Sequence, residues 1–142
     1  MSGVYERNRK QTSVQFLATA EQLQEILTRF LGNEKRVPKK WRFLICTGMI
    51  EKVDELVDNV VAANTVFPSN EERMKKRGDY LTAALINCYQ LQSKIIRMMR
   101  VVETVTPESL GEIQKFLSDE TTLLKGCIKS NKVISSKGSV ED

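Results

Sequence analysis

Between Ser69 and Val102 the apolar residues Met74, Tyr80, Leu81, Ala84, Leu85, Cys88, Leu91, Ile95, Ile96, Met98, Met99 and Val102 recur in steps of three and four, with no proline and with Gly78 as the one weak point. That spacing gathers them on one side of a helix. So long an amphipathic helix keeps one face in water and must cover the other with partners of its own kind. Ser69 followed by Glu72 has capping-box spacing, so the helix is expected to start there.

Three further stretches can supply the partners. From Ser13 the residues Phe16, Leu17, Ala20, Leu23, Ile26, Leu27, Phe30 and Leu31 form a stripe that Gly32-Asn33 ends. Pro38, whose ring suits a first helical turn, opens a second stripe of Leu44, Ile45, Met49, Val53, Leu56, Val57, Val60 and Val61, expected to run to about Asn64. Its β-branched content invites a strand, but alternation is absent and the run is too long. Thr106-Pro107 supplies a cap and first-turn proline for a fourth helix, with Leu110, Ile113, Phe116, Leu117, Leu123, Leu124, Cys127 and Ile128 as its stripe. Only 7 glycines and 3 prolines interrupt 142 residues. The pattern predicts an all-α fold, an antiparallel up-down-up-down four-helix bundle over 13–131, with a basic N-terminal arm over 1–12 and a flexible C-terminal tail over 132–142.

Catalytic chemistry finds little purchase. The chain has no histidine, which removes the Glu-x-x-His ligands of bundle di-metal sites and the usual base of Ser-His and Cys-His systems. No Gly-rich phosphate loop or clustered CxxC is present, so no cofactor and no metal is expected. Cys46, Cys88 and Cys127 are odd in number and sit among apolar residues, as small buried hydrophobes of a reducing cytoplasm. The carboxylate pairs Glu71-Glu72 and Asp119-Glu120 read as a capping turn or a solvated helix face. An enzyme is not expected. With no apolar leader and no run near the length of a membrane span, a cytoplasmic protein is.

What remains is the placement of cations in a chain of net charge +4. An antiparallel bundle brings together the end of the first helix, the start of the second, the end of the third and the start of the fourth. This proline end would collect Lys35, Arg36, Lys39, Lys40 and Arg42, joined by Arg97 and Arg100. The opposite end would gather Arg73, Lys76, Arg77 and Lys129, together with Arg7, Arg9, Lys10, Lys75, Lys125 and Lys132. Such cations can track a phosphate backbone, and they can equally just solvate helix ends and loops. Trp41 and Phe43 offer two readings as well: stacking on bases, or, as the preferred one, one or both of them plugging the end of the bundle.

Pro38-Lys39 with Arg42-Phe43 opening the second helix, Ala63-Asn64 closing it, Arg77 with Tyr80-Leu81 and Ala84 in the third, and Ile128-Lys129-Ser130 ending the fourth resemble a bacterial four-helix-bundle family over about residues 5 to 132. It comprises the accessory variability determinant proteins of diversity-generating retroelements and the proteins encoded in ribosomal RNA intervening sequences. The resemblance implies a homopentameric barrel of bundles that binds nucleic acid and a reverse transcriptase. In the retroelement branch the accessory protein catalyses nothing and supports mutagenic complementary-DNA synthesis from a template RNA. The basic positions that match are Lys39, Arg42, Arg77 and Lys129, of which Arg77 can equally hold the bundle or a subunit interface together. One departure is Cys127, where many relatives have tryptophan. The rival expectation, from another class, is a protein-interaction or structural scaffold with no nucleic-acid role.

Overall fold

The computed structural model describes the backbone of residues 2–134 and the side chains of residues 15–134. It contains four α-helices: α1 (Ser2–Gly32), α2 (Thr47–Thr65), α3 (Glu71–Val101) and α4 (Gly111–Ser130). No strand occurs among the described residues. The arm expected over 1–12 precedes the described side chains, and the expected tail lies, from residue 135 on, outside the described residues.

The four stripes meet in one core, and α1 packs along α2 and α4 while α3 packs along the same two helices. Phe16, Leu23 and Leu27 of α1, Met49 and Leu56 of α2, Leu81, Leu91, Ile95 and Met98 of α3, and Leu117 and Leu124 of α4 are all fully buried. Each such side chain contributes about 1.5–3 kcal/mol of transfer free energy. Cross-helix bonds set the directions. The start of the α2 segment and the end of α3 meet through Arg97 Nη2, which donates to Leu44 O at 3.3 Å. Further along the pair, Asn59 Nδ2 donates to Asn87 Oδ1 at 2.7 Å, so α2 and α3 run antiparallel. At the other end of α3, Asn131 Nδ2 donates to Met74 O at 2.9 Å and ties the end of α4 to the start of α3. A Cβ at Gly78 would stand 3.0 Å from that amide nitrogen, so a larger residue there would crowd the Asn131 side chain that makes this bond.

Helix starts differ from the sequence expectation in detail. Pro38 lies before the helical segment with ψ 146°, not in its first turn. A 3-10 turn (Lys39–Trp41) and a wide π turn (Arg42–Cys46) follow before α2 proper begins. The cap of α3 is Asn70, whose Oδ1 accepts from Arg73 N at 2.9 Å; Ser69 instead donates its N–H to Phe67 O, so the Ser69/Glu72 box does not form. Thr106 does cap the fourth segment. Its Oγ1 accepts from Ser109 N at 3.2 Å while Ser109 Oγ accepts from Thr106 N at 3.1 Å, a reciprocal box with serine in place of the usual glutamate.

Three polar side chains are buried among the described residues, Thr19, Asn87 and Glu120, and the last two bear on the packing. Asn87 is 5% exposed and fully engaged, donating to Glu55 Oε2 at 3.0 Å and Gln90 Oε1 at 3.3 Å besides accepting from Asn59. Glu120 is 0% exposed, and neither carboxyl oxygen has a hydrogen-bond partner. The solvated face expected for Asp119-Glu120 therefore holds only for Asp119, because Glu120 falls in the seam between the buried Leu117 and Leu124. Burial pushes its pKa up to about 8, and that of nearby Cys88 to about 12, where burial leads and the Glu120 carboxyl adds. Cys46 and Cys127 are buried too, and all three thiols are free, as the sequence led us to expect.

The folded state holds the Glu120 proton more tightly than the unfolded chain does. That contribution to stability is complete below about pH 4.5 and is lost as pH rises towards 8. Urea unfolding of the parent chain and of Glu120→Gln at pH 5 and pH 8.5 is expected to show the parent losing on the order of 3–5 kcal/mol relative to the variant. Parallel pH profiles would contradict the buried, neutral carboxyl.

Candidate nucleic-acid interface

Five of the nine predicted cationic residues do assemble at the proline end. Lys35 and Arg36 lie in the connection after α1, Lys39 and Lys40 in the 3-10 turn, and Arg42 at the start of the π turn, all exposed. Thr104 Oγ1 donates to Arg36 O at 2.6 Å, clamping this connection to the one between α3 and α4. Arg97 and Arg100 arrive from the last turns of α3, both exposed. The acid that meets this group is Glu34, 3.7 Å from Arg42 Nη2, the one ion pair to these cations among the described residues. An exposed pair at that distance neutralises little.

The other four predicted residues lie at the far end. Arg73 and Arg97 are separated by about 36 Å along α3 at 1.5 Å per residue. Lys76 and Lys129 are exposed there. Arg73 is committed to structure, its Nε donating to Phe67 O at 2.7 Å across the α2–α3 connection. Arg77 is half-buried, with Nη1 enclosed and unpartnered. Its charge opposes the upward push that burial gives the Cys127 thiol, so the guanidinium faces α4. The nine residues therefore form two separate sets, and Arg77 and Arg73 serve the far end of the bundle.

The wide turn sorts the aromatic residues. Thr47 N–H closes it onto Arg42 O, and the Thr47 hydroxyl donates to the same oxygen at 3.2 Å. Ile45 and Cys46 face the core, and Trp41 packs partly against it with Lys40 Nζ 5.4 Å above its ring. Phe43 and Leu44 are left 86% and 68% exposed. Trp41 closes part of the bundle end, as expected; Phe43 does not, and Leu44 leaves the stripe assigned to it. The signal was present in the spacing, since Ile45, Cys46 and Met49 define a face from which residues 43 and 44 both point away.

A small cleft adjoins the proline end. The cleft lined by Pro38, Lys40, Trp41, Val101, Val102, Glu103 and Thr104 holds about 130 Å³, below the roughly 300–1,000 Å³ of small-molecule sites. Among the described residues no group of three His, Cys, Asp or Glu side chains is placed to hold a metal, and no helix is long and apolar enough to cross a membrane.

Fold and surface together define an all-α four-helix bundle with a cationic, aromatic-bearing end. Comparison of the chain with protein-family models, curated proteins and solved structures returns no match.

Reversing Lys39, Lys40 and Arg42 to glutamate touches only exposed side chains and is expected to cost less than about 1 kcal/mol of stability. Arg77→Glu, by contrast, puts a carboxylate where a half-buried guanidinium lies near the Cys127 thiol and is expected to cost about 2 kcal/mol or more. Urea denaturation of both variants measures the difference.

Proposed function

We propose that this protein is a non-enzymatic nucleic-acid-binding accessory protein that serves a reverse transcriptase and its template RNA in a diversity-generating retroelement. The observation that carries the binding part is the proline end: Lys35, Arg36, Lys39, Lys40, Arg42, Arg97 and Arg100 gathered on one end with a single weak ion pair among them. Cations fixed on a rigid bundle can each neutralise a phosphate and release its counterion, which gives affinity without sequence readout. Lys76 and Lys129 offer a second, smaller contact at the far end. Support for the retroelement setting, for a reverse-transcriptase partner and for a homopentamer comes from the family resemblance of Pro38-Lys39, Arg42-Phe43, Arg77 and Ile128-Lys129-Ser130, and support for a cytoplasmic location from the three free, buried cysteines.

A second reading, a protein-binding scaffold, draws on the exposed Phe43-Leu44 pair. Pull-down from lysate with and without nuclease separates the two, since a contact made through protein alone survives the nuclease.

Binding of the purified protein to a structured RNA, titrated from low to high salt, is expected to weaken steeply. The Lys39→Glu/Lys40→Glu/Arg42→Glu variant is expected to flatten the slope of log affinity against log salt by about 2. A chain that binds no RNA at low salt, or binds with no salt dependence, does not have this function.

A further inference from the structure

We infer that the wide turn at Arg42–Cys46 is a stacking platform for an unpaired base, so that the nucleic acid held at the proline end is single-stranded there. The inference rests on the nucleic-acid reading above and specifies its ligand. Phe43 is the most exposed of the large apolar side chains described, and it sits on a hydrogen-bonded helical turn instead of a loose loop. Arg97 pins that turn from α3 through the carbonyl of Leu44, which anchors a guanidinium to the same turn that carries Phe43. Lys39, Lys40 and Arg42 lie exposed within four residues of Phe43, so the phosphates of a strand stacked there would have cations close by. Trp41 cannot stack in the same way, because its body packs against the core and Lys40 lies over its ring.

Charge decides among the possible occupants. A second copy of this surface would bring Lys39, Lys40, Arg42 and Arg97 towards their own counterparts, a repulsive encounter. A polyanion reverses that sign. Within polyanions, a duplex buries the faces of its bases, and the deep, narrow major groove of an RNA helix admits no side chain; a phenyl face finds a base face only where the strand is unpaired. Sequence preference is expected to be weak, because every base has a face to offer.

The test uses the full chain with two RNAs of equal length, an oligouridylate and a perfect duplex, at one fixed low salt concentration. Phe43→Ala is expected to weaken oligouridylate binding about 10-fold while leaving duplex binding unchanged, and Phe43→Tyr is expected to keep the parent affinity. Equal affinities of parent and Phe43→Ala for oligouridylate, or equal losses on both RNAs, overturn the stacking platform while leaving a cationic interface standing. A change in sedimentation mass on Phe43→Ala overturns it in favour of an interface between copies of the chain. If the parent binds neither RNA, the nucleic-acid reading itself has failed.

Discussion

Four apolar stripes can be dry at once only if all of them face a common axis, and this requirement sets the rest of the structure. Phe16 to Leu31, Ile45 to Ala63, Leu81 to Met98 and Leu110 to Cys127 supply the buried side chains. Once they are packed, every connection between helices lies at an end of the bundle. Connections carry the residues that stripes exclude, and here those residues include Lys35, Arg36, Lys39 and Lys40. The concentration of charge at the proline end is thus a consequence of burying the core, with Thr104 and Arg36 joining the two connections that meet there.

The polar residues inside the bundle show the same constraint from the other side. Asn87 is tolerated because Asn59, Glu55 and Gln90 satisfy it, and its bonds suit only one alignment of α2 against α3. An amide that loses such partners in a dry interior is costly, so the network specifies register. Glu120 has no comparable partner and is accommodated by keeping its proton. Its neighbours Cys88 and Cys127 are held as thiols by the same burial, which makes them packing groups and not nucleophiles.

The two ends share a sign of charge but differ in what the charge does. At the far end Arg73 bonds to Phe67 O and Arg77 turns towards α4, beside the Asn131–Met74 bond that fastens α3 to α4. These cations belong to the protein's own architecture. At the proline end the cationic side chains are exposed; Arg42 makes a weak pair with Glu34, and Arg97 bonds to the turn that displays Phe43.

Helix number, helix type and most of the core were legible in the sequence, because steps of three and four report directly which side of a helix avoids water. Leu44 in water and Glu120 in the core share one cause: position on the helix outweighs residue type. Spacing alone puts Glu120 in the seam between Leu117 and Leu124 and takes Leu44 off the face of Ile45 and Met49. The wide turn, the choice of Asn70 over Ser69 as a cap, and the separate duties of Arg77 and Lys39 carry no comparable periodic signal. The sequence by itself determined that four amphipathic helices would form around a shared core, since that depends on local spacing. Only the tertiary structure decided which cations stand together, which are used up in holding the bundle and which aromatic ring stays in water, because those depend on distances between segments far apart in the chain.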